Sequence, residues 1–89
     1  MPKVVITHRV VDVDKWLQGK SERADSIVGM GGANVVDHVA HDGSNNIAVT
    51  LEADDLTALE AALASPPAEL GAAMERHGVI PPLTVYVER

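Results

Sequence analysis

The segment "HRVVDVDKW" (residues 8–16) places acid–base side chains beside the only tryptophan of the chain. A histidine can move a proton and an arginine can hold an anion, so the pair at the end of this apolar run could serve a reaction. The two aspartates have another explanation. Asp12 falls where a helix N-cap is expected, with its carboxylate accepting from backbone amides of the next turn. We therefore interpret Asp12 as a cap and not as a catalyst. This explanation does not extend to His8 and Arg9, whose role the segment alone does not decide.

The elements around this corner follow from the spacing of apolar residues. Short runs rich in β-branched residues predict four strands, at 3–11, 33–41, 47–53 and 83–88. From Val13 the spacing becomes helical and the helix ends at "GMGG", where glycine suits the C-terminal cap. A second helix begins after Asp54 or Asp55. It is interrupted at Pro66-Pro67, restarts with Ser65 as cap and ends at Gly78.

The predicted order is βαββαβ, within a single domain spanning residues 1–89. We expect an α+β, ferredoxin-like protomer, a four-stranded antiparallel sheet with the helices on one face. The expected spatial order is 4-1-3-2, with the first and third strands as parallel neighbours.

The corner and three later segments resemble the dimeric α+β barrel superfamily. The corner is a strand ending in His-Arg-Val followed by Asp-x-Asp-x-x-Trp. The later segments are the acidic cap "EADDL", the broken second helix "ALASPPAELGAAMERHGV" and the closing strand "PPLTVYVE". The superfamily includes antibiotic-biosynthesis-monooxygenase-like proteins and stress-responsive barrel proteins. The resemblance implies a dimeric barrel, and its members include cofactor-free oxygenases, polyketide cyclases and haem-degrading enzymes. The haem-degrading branch uses an Asn, a Trp and a ligating His that find no residue-by-residue match here, so no cofactor is expected.

Composition excludes several classes of protein. The formal net charge of −6 and the lack of a basic cluster argue against nucleic acid or a membrane surface as partner. No cysteine is available for a disulfide or a metal site. With no secretory leader pattern, we expect a cytoplasmic protein. A core without phenylalanine is light for 89 residues, which favours a homodimer.

The helix-free face of the sheet holds the candidate ligand-binding residues. If the more apolar phase of each strand faces the helices, the opposite phase presents Thr7, Arg9, Thr50, Glu52 and Tyr86. The second strand is ambiguous, because one phase presents His38 and the other presents Asp37 and His41. Against a second copy this face would form a partly polar lumen for a small, partly apolar organic molecule. Arg9 would orient an anionic or carbonyl oxygen, and Tyr86 or His38 would move a proton.

The alternative function is that of a non-catalytic structural or interaction protein. With parallel neighbours, Arg9 would lie near Glu52 and Thr7 near Thr50, so these polar groups could serve only the dimer. His38 and His41 cannot easily share a metal, because an odd offset on a strand directs them to opposite faces. We therefore expect no metal. Cofactor-free oxygenase or cyclase-type chemistry is one option for the pocket, and the residues alone do not identify a catalytic group or decide whether the protein is an enzyme.

Overall fold

A computed structural model describes residues 1–89 and shows four strands and four helical segments. In chain order they are β1 (Lys3–Val10), α1 (Val13–Gln18), α2 (Lys20–Gly29), β2 (Gly32–Val39), β3 (Asn46–Ala53), α3 (Leu56–Ala64), α4 (Ala68–Arg76) and β4 (Val79–Val87). Taking α1 with α2 and α3 with α4, the order is the βαββαβ of a ferredoxin-like protomer, which confirms the predicted fold class.

The four strands form one antiparallel sheet in the order β2-β3-β1-β4. This spatial order confirms the one expected from sequence. The core lies on one face of the sheet, where alternate strand residues are almost fully buried beneath the helices. The core cluster consists of Val4, Ile6, Val10, Trp16, Ile27, Ile47, Val49, Leu51, Ala53 and Leu59.

The expected parallel pairing of the first and third strands is wrong. β1 and β3 run antiparallel, with Arg9 opposite Asn46 and Lys3 opposite Glu52. The reason is topological: β1 and β2 share a direction across the helical connection, and the hairpin from β2 to β3 reverses the chain. Arg9 and Glu52 therefore lie at opposite ends of the sheet.

The first helix is capped as predicted but is broken in the middle. Asp12 has extended backbone dihedrals, and its carboxylate accepts from the Lys15 amide at 3.2 Å. The helix then divides at Gly19, against which the imidazole of His77 packs so closely that a Cβ at Gly19 would lie 2.5 Å from the ring. The contact explains why a glycine stands at the break.

The second helical region differs from prediction in one cap. Asp55 caps α3, since its carboxylate accepts from the Ala58 amide at 3.0 Å. The expected cap Ser65 instead ends α3, and α4 begins after Pro67 with no side-chain cap. Gly78, with a φ of 75°, ends the helical region as predicted.

Both outer strands of the sheet carry irregularities. In β2, Asn34 has a φ of 53°, and the register with β3 shifts between Ala33 and Val36. β4 begins four residues earlier than predicted and contains Pro81 and Pro82. Neither edge therefore offers an uninterrupted row of backbone donors.

Candidate functional site

The helix-free face of the sheet, here called the open face, carries the six residues predicted to bind a ligand. Val4 and Ile6 are buried toward the helices, so their neighbours Val5, Thr7 and Arg9 alternate onto the open face. By the same alternation, the open face also receives residues from the other three strands. These are Val36 and His38 from β2, Ala48, Thr50 and Glu52 from β3, and Thr84 and Tyr86 from β4.

Three of the six predicted residues lie together at one end of the open face. Thr7 is opposite both Ala48 and Thr84, and His38 is opposite Ala48, so these side chains form one row across all four strands. Arg9 follows one row further along. Thr7, Arg9 and His38 line a depression of about 540 Å³, called here the open-face depression. Its apolar wall is formed by residues that include Ile80, Pro81 and Pro82.

The other three predicted residues lie outside the depression. Thr50 and Tyr86 both pair with Val5, in the row beyond Thr7, and Tyr86 is 57% exposed. Glu52 lies at the far end of the face and accepts a hydrogen bond from the Asn34 side chain. The predicted neighbours Thr7 and Thr50 are two positions out of register, because Thr7 faces Ala48.

The phase of β2, left open by the sequence, places His38 on the open face and Asp37 beneath the helices. Val35 packs on the core, whereas Val36 and His38 are exposed. His41 lies in the turn after the strand and is exposed.

Arg9 has no acidic partner anywhere in the structure. The ion pairs of the chain are Arg23 with Asp37 and Glu22 with both Arg76 and His77. The expected Arg9–Glu52 pair is wrong, because the antiparallel register separates the two side chains. The cation in the depression is thus available to a ligand.

A second cavity, called here the interior cavity, lies between the sheet and the helices. It measures about 60 Å³ and most of its lining is apolar, with contributions from Ile6, Leu70 and Leu83 among others. Four polar residues line it as well: His8, Arg23, Ser26 and His77. Its volume lies far below the about 300–1,000 Å³ that is typical of small-molecule sites.

Arg23 is the centre of the polar groups beside this cavity. Its guanidinium donates to the Asp37 carboxylate through Nε at 3.3 Å and Nη2 at 2.7 Å, and to the Trp16 carbonyl at 3.1 Å. The guanidinium carbon also lies 4.0 Å from the centre of the Trp16 ring, within the range of a cation–π contact. The Asp37 and Arg23 side chains are only 2% and 10% exposed, so the pair is well shielded from water.

The two histidines of the interior cavity carry their protons on opposite ring nitrogens. His8 Nδ1 lies 2.9 Å from the Arg9 carbonyl, which only accepts, so Nδ1 donates and Nε2 has a free lone pair. His77 Nδ1 lies 3.3 Å from Arg23 Nη1, which only donates, so Nδ1 accepts and Nε2 carries the proton. His77 Nε2 faces the Glu22 carboxylate at 3.7 Å, as a donor would.

The protonation of His8 is shifted by its surroundings. Burial lowers the pKa of His8, the hydrogen bond to the Arg9 carbonyl raises it in part, and the charge of Arg23 lowers it again. The imidazole is therefore neutral at pH 7. Its ring packs edge-on against Trp16, with the two planes at 84° and the centroids 6.3 Å apart.

The sequence interpretation missed this polar group of residues. Arg23 was not assigned to the buried face of its helix, although it lies seven residues after Trp16 and thus on the same face. Asp37 was recognised only as a member of one possible strand phase. The signal that could have found the pair is an acid in the buried phase of a strand, which requires a cation from the helix above it.

The fold is shared with solved structures of antibiotic biosynthesis monooxygenases. A proposed enzyme of that name from Bordetella bronchiseptica is 9% identical, with a TM-score of 0.73 over 99% of this chain and 94% of that one. Another antibiotic biosynthesis monooxygenase is 14% identical, with a TM-score of 0.69 over 100% of this chain and 97% of that one. These similarities confirm, at the level of the fold, the resemblance found in the sequence.

A third similar structure is a dimeric ferredoxin-like protein from an uncultured marine organism. It is 7% identical, with a TM-score of 0.61 over 100% of this chain and 93% of that one. By sequence, no family profile and no curated protein matches the chain. None of its helices has the length and apolar character needed to cross a membrane.

Proposed function

We propose that the protein is a homodimer that binds a small, partly apolar organic molecule on the open face. The single observation that carries the proposal is Arg9, a cation without an acidic partner in a depression of about 540 Å³. The volume falls within the range of small-molecule sites, about 300–1,000 Å³. A carboxylate or carbonyl oxygen of the ligand would accept from Arg9, and its apolar part would lie against the proline-rich wall.

The exposed side chains of the open face support a second copy as the partner that closes the depression. Val36 is 50% exposed and Tyr86 is 57% exposed. The molecule measures 32 Å by 29 Å in its two longer dimensions. A face of that scale matches the about 800 Å² per partner that a standard interface buries. The similarity to a dimeric ferredoxin-like protein also supports this arrangement.

The proposed roles of the six open-face residues follow from their distance to Arg9. Thr7 and His38 share the depression with it, so they would bind the polar end of the ligand, and His38 could move a proton. Thr50, Glu52 and Tyr86 lie further along the face and would contact the ligand only where the second copy brings them over it. Two of the structural neighbours are antibiotic biosynthesis monooxygenases by name, which supports oxygenase chemistry as the reaction of this pocket. Cyclase-type chemistry is the other option that the sequence resemblance implies.

The alternative is a structural protein whose open face serves only the dimer. The separation of Arg9 from Glu52 removes one argument for a structural protein. The exposed Val36 and Tyr86 are equally consistent with both functions. The two functions differ in what Arg9 does. A binding protein uses Arg9 for the ligand, and a structural protein uses it for the second copy.

The test compares Arg9→Met with Lys20→Met, which removes the same charge from an exposed position at the start of α2. Sedimentation gives the oligomeric state, and calorimetry gives the affinity for a set of aromatic carboxylates and quinones. We expect both variants to remain dimeric, with Arg9→Met alone losing affinity at least tenfold. A monomeric wild type would contradict the dimer. Absence of binding by the wild type, or dissociation caused by Arg9→Met, would favour the structural protein.

A further inference from the structure

We propose that two copies of the chain dock through their open faces so that Arg9 of each protomer faces the partner's Glu52, and that the partner thereby completes each ligand site. The inference rests on the proposed function, which places a second copy on the open face without fixing its orientation. A second copy fits this face because the face carries opposite charges at its two ends, so that it can complement itself.

Arg9 and Glu52 are unmatched charges at the two ends of the open face. Arg9 is the only lysine, arginine or acid among the residues that line the depression at one end. Glu52 lies at the other end and accepts from Asn34, whose amide is neutral. Lys3 and Glu88 lie together at the same end as Glu52, where the Glu88 carboxylate accepts from the Lys3 amide, and their opposite charges offset each other.

A second copy on this face would separate both charges from water. Arg9 and Glu52 are already half-buried within one protomer. A charge that is shielded from water without a counter-ion is strongly destabilising, and like charges across an interface disfavour the arrangement that brings them together. The stable arrangement is therefore the one in which each charge meets its opposite.

Two arrangements of the second copy differ in which ends of the face meet. When two copies pack face to face, their two-fold axis lies in the plane of the interface. An axis along the strands would bring the Arg9 side chains of both copies together, and likewise both Glu52 side chains. An axis across the strands turns the second copy end for end, so Arg9 of each protomer lies over the partner's Glu52. The contact then forms twice, as two-fold symmetry requires.

The dimensions of the sheet fit the axis across the strands. Arg9 lies six residues along β1 from Lys3, the residue opposite Glu52, so the two ends are about 20 Å apart and Ile6 lies midway. Because β1 and β3 are adjacent, Arg9 and the partner's Glu52 are offset sideways by only about 4.8 Å, one strand spacing. Facing sheets lie about 10 Å apart, a gap that an arginine and a glutamate side chain bridge together.

This orientation completes the depression with side chains of the partner. Rows at equal distances from Ile6 lie over one another, so the row of Thr7 and Thr84 faces the row that holds the partner's Tyr86. The exposed ring of the partner's Tyr86 then covers Thr84, which lines the depression. A carboxylate takes two of the five N–H donors of Arg9, which leaves three for an oxygen of the ligand.

Charge reversal tests the orientation without a ligand. In a dimer of Arg9→Glu two carboxylates would meet at both contacts, and in a dimer of Glu52→Arg two guanidinium groups would meet. We expect each variant alone to raise the Kd of the dimer at least about tenfold, measured by sedimentation. An equal mixture restores opposite charges at both contacts, so native mass spectrometry should show mainly the mixed dimer.

The matched control is Lys20→Glu, a charge reversal at an exposed position on α2, which should dimerise as the wild type does. Arg9→Met removes the charge without creating repulsion and should also remain dimeric. Reversal variants that dimerise as tightly as the wild type, or a mixture with no preference for the mixed dimer, would overturn the proposal.

Cysteine cross-linking measures the orientation directly, since the wild type has no cysteine. Arg9→Cys and Glu52→Cys, mixed in equal amounts, should be joined to each other by a short bismaleimide linker. Neither variant should be joined to itself, because its two cysteines would lie about 20 Å apart along the strands. Cross-linking of Arg9→Cys with itself, or no cross-link in the mixture, would refute the orientation. A monomeric wild type would instead contradict the proposed dimer, so the two failures are distinct.

Discussion

Arg23 on α2 and Asp37 on β2 form a buried ion pair, with Nη2 lying 2.7 Å from Oδ2. The two residues are fourteen positions apart in the sequence, and the pair joins the first helical region to an outer strand of the sheet. Removing one partner would leave the other charged and shielded from water, which is far more costly than losing a surface pair.

For this pair, Asp37→Ala should lower the free energy of unfolding by about 3–5 kcal/mol. The cause is the guanidinium of Arg23, which would remain buried without its counter-ion. Urea unfolding followed by circular dichroism measures the change. The matched control is Asp25→Ala, at an exposed acid on α2, the helix that carries Arg23. It should change the free energy of unfolding by less than about 0.5 kcal/mol. The double variant Arg23→Met/Asp37→Leu should recover most of the lost free energy of unfolding. If Asp37→Ala and the double variant are destabilised equally, burial of an unpaired charge is not the cause.

The helix cap at Asp12 leads to a second prediction. Asp12→Ala should cost about 1 kcal/mol of stability, and Asp12→Asn much less, because asparagine caps nearly as well. Asp55→Ala, at the cap of α3, should resemble Asp12→Ala. Chemical unfolding of the three variants decides the matter. Equal costs for the alanine and asparagine variants at position 12 would mean that the charge of Asp12 matters for some other reason.

Two glycines within helical regions should respond in opposite ways to alanine. Gly19→Ala places a Cβ against the His77 ring, which Arg23 holds in position, and should cost about 1–3 kcal/mol. Gly71→Ala, in α4 with open space around it, should add up to about 1 kcal/mol through helix propensity. Thermal unfolding should show a lower melting temperature for Gly19→Ala and a higher one for Gly71→Ala. If the clash is the cause, Gly19→Ala should become nearly harmless in a His77→Ala background.

The lowered pKa of His8 predicts how stability depends on pH. The unfolded chain takes up a proton at the usual histidine pKa, about 6.5, whereas folded His8 resists it until a lower pH. The unfolded state therefore binds more protons below about pH 6.5, and stability falls as the pH drops from there toward the folded pKa. Unfolding free energies measured from pH 7.5 to 5.5 should show this slope, and His8→Gln should flatten it. A slope unchanged in His8→Gln would assign it to other groups.

The order of elements was predictable because it rests on local periodicity. Alternation in 47–53 and helical spacing from Val13 each depend on a few neighbouring residues, as does the cap at Asp12. The direction of β3 relative to β1 depends on the path of the whole chain, and neglect of the hairpin reversal led to a false Arg9–Glu52 pair. Arg23 was missed for a related reason: a buried arginine is recognisable only when its carboxylate is known to lie opposite, and the phase of β2 decides that.

The irregular outer strands have a consequence for how this protein avoids aggregation. A regular, exposed edge strand is a template for indefinite addition of further chains through backbone hydrogen bonds. Here the left-handed Asn34 and the register shift interrupt one edge, and Pro81 and Pro82 remove two donors from the other. Fibrous growth by edge-to-edge pairing is thereby disfavoured.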